Sequence, residues 1–349
     1  MIGRMEIRNL VLSEVGETVC KLIEQYISLS SSETVVLDTA TSFNIDALNV
    51  NNASGVINLH KVNDINKIND VFIAANNKLR DQGKFIGTAE TLPERKKRIL
   101  NKYPSSGRIY YFLDFIFKRI FPKLWITKSL YHFITADRNR AISKAEILGR
   151  LVFCGFTIVH EEEINNRLFF IAQKTEKYQS KPKPSYGLIF KMNRIGNCGQ
   201  TITIYKLRTM HPYAEYLQEY IYSKYDLKVG GKFKNDFRIT EWGHVFRAFW
   251  IDELPMLYNL IKGELKLVGV RPLSKHYLSL YSKELIELRS SFKPGLVPPF
   301  YLDLPTNLNE IMASETRYLH AYNDTPVQTN FKYFFGAIKN IIFKKVRSN

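Results

Sequence analysis

The pattern of apolar and polar positions divides the first half of the chain into alternating helices and strands. Helical spacing of apolar residues predicts helices over residues 17–30 and 65–79. A capping-box pair, Ser143 and Glu146, predicts the start of another helix that ends near Phe153. Short β-branched and aromatic runs predict strands over residues 34–38, 55–60, 83–87, 155–160 and 167–172. Alternation of this kind favours an α/β sheet.

The second half of the chain contains strands, marked turns and short helices. Residues 188–210 predict two strands about a glycine turn, and the second strand ends in a basic pair, Lys206 and Arg208. Proline is tolerated only in the first turn of a helix, and glycine favours the position just past a helix end. Pro255 and Gly263 therefore predict a helix between them.

Asp252 and Glu253 stand directly before that helix and are the candidate catalytic pair. The N-terminal end of a helix carries roughly half a positive charge and readily holds phosphate. Two carboxylates beside an anion site invite a divalent cation, and a carboxylate can also attack phosphorus. The alternative is that the two acids simply cap the helix.

Composition and charge narrow the classes of function. The 349 residues are 45% hydrophobic and 13% aromatic, which indicates a globular chain with room for two domains. A net charge of +17 favours polyanionic partners, namely nucleic acid, anionic lipid or nucleotide-linked substrates. Three cysteines without CxxC spacing indicate a reducing cytosol. We expect no signal peptide and no transmembrane span, because no run of about 18 uncharged apolar residues occurs.

Two segments mark the organisation of the first half. Residues 109–134 combine aromatic and aliphatic residues with lysines and arginines around Pro122. This composition suits an amphipathic insertion lying on a bilayer, or an internal α-hairpin packed as a lid. Residues 176–186 form a polar linker with lysines and prolines, so we predict a first domain over 1–175 and a second over 187–349.

The first domain weakly resembles the second half of a Rossmann-like methyltransferase domain, from Val56 onward. The turn and strand at 79–85 and the pair Gly155-Phe156 stand at the corresponding places. The resemblance implies a three-layer Rossmann-like fold. The strand that ends at Leu37 is followed by no glycine-rich turn, so we expect a degenerate domain without bound S-adenosylmethionine, with a structural or partner-binding role.

The second domain resembles the bacterial sugar transferase family, the monotopic polyprenyl-phosphate phosphoglycosyl transferases, over about residues 184–349. Its motif blocks occur in family order, and they lie at 188–210, 234–243, 252–263, 267–272 and 292–296. The resemblance implies an α+β catalytic domain. It also implies transfer of a sugar-1-phosphate from a nucleotide-diphosphate sugar to polyprenyl (undecaprenyl) phosphate with Mg²⁺, which initiates surface glycan synthesis at the cytoplasmic face of the inner membrane.

The resemblance also implies roles for single residues. Asp252 is the expected nucleophile, which forms a covalent phosphosugar intermediate, and Glu253 is its partner in magnesium binding and acid–base chemistry. Four basic residues fall on matching motif positions and are expected to bind substrate phosphate or nucleotide: Lys206, Arg208, Arg238 and Arg271. The sequence leaves open whether the protein forms a homo-oligomer.

Departures from the family pattern leave alternatives open. The block ending at residues 296–300 differs, and Arg167 to Ser185 replaces the long apolar re-entrant helix that family members carry there. Membrane attachment is therefore expected to use other elements or to be absent. The first alternative is a non-catalytic paralogue that scaffolds or regulates such an enzyme. The second, a nucleic-acid binder, rests on charge alone and has no motif, so we expect no nucleic acid.

The C-terminal segment predicts an amphipathic helix that contacts the membrane. Its apolar positions fall on one face: Phe331, Phe334, Phe335, Ile338, Ile341 and Ile342. Lysines and an arginine surround them: Lys332, Lys339, Lys344, Lys345 and Arg347. This composition is typical of an in-plane anchor, and the alternative is a helix packed on its own domain.

Overall fold

The computed structural model describes residues 4–123, 125–135, 138–179, 184, 186–224 and 236–343. The chain divides into two units. The first unit comprises Met1–Tyr186 and His211–Lys224, and the second comprises Gly187–Met210 and Tyr225–Asn349.

The first unit contains nine of the helices that we number, together with five strands. The helices are α1 (Arg4–Val15), α2 (Glu17–Glu24), α3 (Ser42–Asp46), α4 (Ile68–Lys78), α5 (Leu92–Lys102), α6 (Gly107–Phe115), α7 (Trp125–Thr135), α8 (Lys144–Phe153) and α9 (Gln218–Lys224). The strands are β1 (Thr34–Leu37), β2 (Ala53–Lys61), β3 (Leu79–Ala89), β4 (Phe156–Ile164) and β5 (Arg167–Lys174). A π-helical turn, Ile116–Ile120, continues α6.

The five strands form one mixed sheet in the order β1-β2-β3-β5-β4. β1, β2 and β3 run parallel, with Val35 opposite Val56 and Val56 opposite Phe85. β5 is antiparallel to both of its neighbours, β3 and β4. The strands predicted from β-branched runs are confirmed, because these residues are buried where sheet packing favours branched and aromatic side chains.

Helices pack on both faces of this sheet. On one face, Ile23 of α2 belongs to a buried cluster with Ile57 and Ile86 of neighbouring strands. Side chains alternate along a strand, so Phe85 points to the opposite face. There it meets Phe72 of α4 at 5.6 Å between ring centroids. The first unit is therefore mixed α/β, and its assignment as Rossmann-like stays a prediction.

Both predicted helices are present in the structure, but their lengths differ from the predicted ones. The predicted helix over 17–30 is the shorter α2, and the one over 65–79 is α4. The predicted helix start at Ser143 is confirmed, because its hydroxyl accepts a 3.2 Å hydrogen bond from the backbone N–H of Glu146. The Glu146 carboxylate pairs with Arg119 and Arg150.

The stretch His211–Lys224 joins the first unit although the prediction placed it in the second domain. Gly149 of α8 allows a close approach, since a Cβ there would lie 2.3 Å from the carbonyl oxygen of Tyr213. The Tyr213 ring also packs edge-on against Phe153 at 5.4 Å. Tyr213 and its neighbours therefore complete the core around α8.

The second unit contains shorter elements. Its strands are β6 (Ile189–Ile195), β7 (Thr201–Leu207), β8 (Lys266–Val268) and β9 (Gly295–Val297). Its helices are α10 (Glu241–Ala248), α11 (Met256–Ile261), α12 (Lys275–Leu278), α13 (Lys283–Ser290), α14 (Phe300–Asp303), α15 (Leu308–Asp324) and α16 (Pro326–Phe343). β6 and β7 form the predicted antiparallel pair, and β8 pairs with β9 in parallel.

Two glycines let β8 and β9 approach at backbone distance. A Cβ on Gly295 would lie 2.1 Å from the backbone nitrogen of Gly269. The Gly295 N–H instead donates a 2.9 Å hydrogen bond to the carbonyl of Val270. This contact fixes the loop that follows β8, where Arg271 lies.

The predicted C-terminal amphipathic helix is α16, and its faces divide differently from the predicted stripe. Tyr333 and Ala337 are buried, and Phe331, Phe335 and Ile342 are exposed. Of the predicted basic flank, Lys344, Lys345 and Arg347 lie outside the described residues. Among the helices of the described ranges, none combines the length and the apolar character needed to cross a bilayer.

Lys266 is held among aromatic rings in the second unit. Its Nζ lies 3.2 Å from the ring centroid of Tyr322 and 5.4 Å from that of Tyr318. Within the part of the chain that the structure describes, this Nζ is buried and has no hydrogen-bond partner. Burial lowers the pKa of Lys266 to about 8, and the ring faces offset part of the cost of its charge.

This environment predicts that stability rises with pH above about pH 8. A free lysine titrates near 10.4, so between about 8 and 10.4 the unfolded chain binds more protons than the folded chain. The free energy of unfolding therefore increases as pH rises through that window. Lys266→Met, which is uncharged and of similar length, should be more stable at pH 7 and should lack this component. Urea unfolding of both proteins across the window measures the difference.

Lys283→Met, at an exposed lysine on α13, is the matched control and should keep the wild-type pH dependence. Parallel pH curves for wild type and Lys266→Met would contradict the assignment of the titrating group.

Candidate active site

Asp252 and Glu253 lie in a single 3₁₀ turn, Ile251–Glu253, just before α11. Their relative exposures are only 5% and 7%, so two adjacent carboxylates are held away from water. Charged side chains are rarely buried unless they are paired. The surroundings of each acid therefore determine what the pair can do.

The turn is shaped by the residues on either side of it. Trp250 has φ of 62°, a left-handed conformation that is uncommon for a bulky residue. Its ring packs at 4.2 Å against Tyr301, which offsets the strain of that backbone. On the other side, Pro255 takes the N-cap position of α11, and Gly263 follows the helix with φ of 71°. The predicted helix is confirmed.

The capping interpretation of the acid pair is not supported by this geometry. The N-cap residue of α11 is Pro255, and neither the 3₁₀ turn nor α11 has a side-chain capping hydrogen bond. Neither carboxylate therefore caps the 3₁₀ turn or α11.

Glu253 is paired with Lys206. The Nζ of Lys206, on β7, lies 2.6 Å from Oε1 of Glu253, and both side chains are largely buried. Burial lowers the pKa of Lys206, and the charge of Glu253 opposes that shift. The positive charge of Arg271 lowers the Lys206 pKa further, which places Arg271 in the same electrostatic neighbourhood.

Asp252 is left without an equivalent partner. Its Oδ1 is buried and accepts no hydrogen bond from any residue that the structure describes. Such an atom costs about 1–3 kcal/mol unless a ligand satisfies it. Burial, followed by repulsion from Glu253, raises the pKa of Asp252, while Lys206 and Arg247 act in the opposite direction. One acid is therefore neutralised and the other is poorly solvated.

Arg271 lies on the loop after β8, and its position is fixed through its backbone. Its carbonyl oxygen accepts a 2.6 Å hydrogen bond from Arg289 Nη2, and Arg289 is paired with the buried Glu315. The Arg271 guanidinium lies 5.9 Å from the ring centroid of Phe300. Its charge also contributes to lowering the pKa of Arg194. Arg271 thus belongs to the surroundings of Lys206, as the motif position suggested.

Arg238 and Arg208 make other contacts. Arg238 is buried and pairs with Asp236 through both carboxylate oxygens, at 2.7–3.2 Å. Arg208 donates a 3.0 Å hydrogen bond to the carbonyl of Gly187 and lies 5.0 Å from the Phe190 ring. Their expected role in phosphate binding stays a prediction.

Two further residues act on the acid pair: Arg247, whose place among turn-marked arginines already favoured phosphate recognition, and Tyr301, which the sequence did not single out. Arg247 donates to the Thr209 hydroxyl at 3.0 Å, and its charge acts on Asp252. Tyr301 is fully buried, and the nearby charges of Glu253, Asp252 and Arg271 act on its hydroxyl. A tyrosine in an apolar stretch gives no signal of this kind, because the same pattern is typical of core positions.

Asn259 is the structural support that the sequence analysis missed. Its amide nitrogen donates to the Thr203 carbonyl at 2.7 Å and to Glu264 at 2.6 Å. Its amide oxygen accepts from the backbone N–H of Tyr205 at 3.2 Å. These bonds attach α11 to β7, and so they hold the acid pair next to Lys206.

The residues present fit a magnesium ion that arrives with a diphosphate. Among the described residues, no group of three or more potential ligand side chains forms a metal cage. Mg²⁺, however, is usually held by only one or two carboxylates together with substrate phosphates. The unpartnered Asp252 Oδ1 and the neighbouring Glu253 carboxylate supply that donor set.

The helices beside the acid pair expose a group of apolar side chains, which we call the apolar collar. Its members on or next to α10 and α11 are Val245, Phe249, Leu254, Leu257, Tyr258 and Ile261. A group of six exposed apolar residues marks an interaction surface more often than an isolated apolar residue does. The site therefore combines a charged interior with an apolar rim.

Comparisons with known proteins identify relatives of the second unit. The family model described as bacterial sugar transferase matches residues 169–344. A galactosyl transferase, CpsE of Streptococcus agalactiae serotype III, is 33% identical over 44% of this chain and 34% of its own length. An undecaprenyl-phosphate galactose phosphotransferase of Salmonella typhimurium is 34% identical over 31% of this chain and 24% of its own. This chain thus spans 34% and 24% of the two relatives' lengths.

A solved structure was also matched. An O-methyltransferase family protein from Burkholderia thailandensis aligns with 39% of this chain and 33% of its own, at 13% identity and a TM-score of 0.24. A likeness of that level carries no argument about fold or function.

The electrostatics of the pair predict that Asp252→Asn stabilises the protein at neutral pH. The folded-state pKa of Asp252 is raised, so ionisation is unfavourable in the fold, and this penalty grows as pH increases above the unfolded value near 3.9. Asparagine keeps the shape without the charge. We expect a higher melting temperature at pH 7 and a smaller difference from wild type near pH 3.

Glu284→Gln, at an exposed acid in the first turn of α13, is the control and should change the melting temperature little. A lower melting temperature for Asp252→Asn at pH 7 would show that Asp252 stabilises the fold, contrary to this prediction.

Proposed function

This chain belongs to the bacterial sugar transferase family, and we propose that its second unit is a phosphoglycosyl transferase. The reaction is transfer of a sugar-1-phosphate from a nucleoside diphosphate sugar to polyprenyl phosphate, which initiates a surface glycan. The observation that carries the proposal is the buried Asp252 oxygen without a hydrogen-bond partner, next to the Lys206–Glu253 ion pair.

The substrate classes follow from the relatives and from the charge of the site. The Salmonella relative is named for an undecaprenyl-phosphate acceptor, and we carry that acceptor class to this chain. Both substrates are phosphate anions, which suits the positive charges of Lys206, Arg247 and Arg271 near the acid pair. The non-catalytic alternative gains no support, because both carboxylates are present.

The proposed first step is attack by an Asp252 carboxylate oxygen on the phosphorus that bears the sugar. A new oxygen–phosphorus bond forms as the bond from that phosphorus to the bridging oxygen breaks. The nucleoside monophosphate leaves with the electron pair. In the second step an oxygen of polyprenyl phosphate attacks the same phosphorus and returns the Asp252 carboxylate.

The protein side chains divide the remaining work. Lys206 holds Glu253 at 2.6 Å, which leaves Asp252 as the acid free to react. Burial removes water from the Asp252 carboxylate, and hydration would otherwise lower its nucleophilicity. The surrounding cations stabilise charge on the leaving nucleotide, which is the usual role of preorganised charges at such sites. Mg²⁺, held by Asp252 and Glu253 with the diphosphate, would supply Lewis-acid stabilisation of that same charge.

A lipid acceptor also suits the apolar collar of α10 and α11. Side chains such as Phe249 and Ile261 are largely exposed beside a charged site, and this is the composition of a protein surface that meets the edge of a bilayer. We place the reaction at the cytoplasmic face of the membrane, where nucleotide sugars are made, with the protein attached peripherally. The exposed face of α16 is the second candidate contact in this unit.

We also propose that the first unit is a degenerate Rossmann-like domain that binds no S-adenosylmethionine. Support comes from three parallel strands followed by an antiparallel pair. After β1 the chain continues through Asp38 and Thr39, and the Thr39 N–H donates to Asn58 Oδ1 at 3.0 Å. That side-chain contact occupies the place where a glycine-rich turn would approach a cofactor.

The proposal predicts that Asp252→Asn abolishes turnover. Asparagine preserves size and most hydrogen bonding but cannot form the phosphosugar intermediate, so activity should fall by several orders of magnitude, below detection. Glu253→Gln should also be severely impaired, because Lys206 then loses its ionic partner. The measurement is release of nucleoside monophosphate from a panel of nucleotide sugars with undecaprenyl phosphate. A chelator should suppress wild-type turnover, and added Mg²⁺ should restore it.

A mass-spectrometric search for a phosphosugar adduct on the peptide containing Asp252, without acceptor, tests the covalent step directly. Glu284→Gln is the matched control and should turn over like wild type. Undiminished activity in Asp252→Asn would exclude the nucleophile assignment and leave a direct transfer between the two substrates.

A further inference from the structure

A second apolar surface lies in the first unit, on the segment from α6 to α7. Its most exposed members are Ile109, Phe112, Leu113, Ile126, Phe133 and Ile134, and we name this set the α6–α7 face. Ile126 is 82% exposed and Phe133 is 88% exposed. Single exposed apolar residues are ordinary, but six within 26 residues are typical of an interaction surface.

Buried ionic contacts hold this segment in place from its inner side. Asp114 of α6 accepts two hydrogen bonds from Arg95 of α5, at 2.6 and 2.7 Å. Arg119 of the π-helical turn pairs with Glu146 of α8 at 2.6 Å and donates to the Ala141 carbonyl at 3.0 Å. The inner residues thus fix the orientation of the helices. Because these inner contacts set the orientation, the outer apolar side chains are exposed in the folded unit and do not belong to its core.

The charge around the face is strongly positive. Residues 92–135 contain two acids, Glu94 and Asp114. Glu94 is buried, and Asp114 is neutralised by Arg95. The same residues contain ten bases: Arg95, Lys96, Lys97, Arg98, Lys102, Arg108, Lys118, Arg119, Lys123 and Lys128. Ten bases and two acids give +8, and adding Glu90 and Glu146, which pair with Arg98 and Arg119, still leaves +6. The partner of this face must therefore accept apolar side chains and positive charge together.

We propose that the α6–α7 face docks on an anionic lipid bilayer. Aromatic and aliphatic tips would enter the boundary between headgroups and acyl chains, while lysine and arginine stems extend to the phosphates. A second copy of this chain fits worse, because a symmetric contact would place two positive faces against each other. This docking does not depend on the chemistry proposed at Asp252, and it concerns residues that the transfer reaction does not use.

A fluorescent probe on the full-length chain tests the docking at the face itself. Cys198 is the exposed cysteine, and Cys20 and Cys154 are buried, so a Cys198→Asn background removes the accessible thiol. Asparagine suits the left-handed backbone of residue 198, where φ is 51°. Phe133→Cys in that background is labelled with bimane and mixed with vesicles of phosphatidylcholine and phosphatidylglycerol. We expect a blue shift of the emission, because the probe leaves water.

The matched control is Phe43→Cys, at a residue of α3 that is 75% exposed in the same unit, and its emission should not shift. An unshifted Phe133 probe would overturn the proposal. An equal shift with vesicles of phosphatidylcholine alone would also overturn it, because the basic residues would then have no part in binding. Concentration-dependent blue shift without vesicles, with dimers in light scattering, would assign the face to a second copy.

Vesicle flotation measures how much the face contributes. The double variant Ile126→Asp and Phe133→Asp should bind anionic vesicles roughly tenfold or more weakly, since two apolar insertions are replaced by charges that the lipid phosphates repel. Both positions are exposed, so its unfolding transition should match wild type. Phe43→Asp should float like wild type, and equal flotation of the double variant would overturn the proposal. Asp252→Asn should float normally, which separates this result from any failure of the proposed reaction.

Discussion

Two adjacent carboxylates held out of water are the constraint on which the second unit depends. Burying one ionised acid is expensive, and burying two neighbours adds their mutual repulsion. The structure resolves this asymmetrically, because Lys206 neutralises Glu253 at 2.6 Å and Oδ1 of Asp252 receives no hydrogen bond from the described residues. The result is one paired acid and one acid whose ionised form is raised in energy in the resting protein, and this difference suits the nucleophile role proposed for Asp252.

The unequal surroundings of the two acids require a rigid backbone around them. Two kinds of residue that take no part in the proposed chemistry provide it, an asparagine and a pair of glycines. Asn259 attaches α11 to β7 through two hydrogen bonds, to Thr203 and Tyr205, and these hold the acid pair next to Lys206. Gly269 and Gly295 let two strands meet at backbone distance, which sets the path of the loop that carries Arg271. A side chain at either glycine would displace that loop before it altered any contact with substrate.

The sequence predicted what depends on local pattern. β-branched runs identified all five strands of the first sheet, and Pro255 and Gly263 bounded α11. It could not predict which arginines are engaged elsewhere, because that depends on side-chain geometry. Asp236, two residues before Arg238, already satisfies the guanidinium. Nor could it show that His211–Lys224 joins the first unit, since the close approach at Gly149 is visible only in three dimensions.

The charge balance of the site suits the diphosphate substrate that we propose. Asp252 and Glu253 bring two negative charges, while four cations act on them or on one another: Lys206, Arg194, Arg247 and Arg271. The pKa values of Lys206, Arg194 and Arg247 are lowered first by burial. The charge of Arg271 lowers those of Lys206 and Arg194 further, and the charge of Arg238 acts in the same way on Arg247. Partly buried positive charges held near one another are unfavourable by themselves, and a dianionic ligand would relieve that cost. In the proposed first step, these cations would balance the phosphate charge that otherwise repels the Asp252 carboxylate.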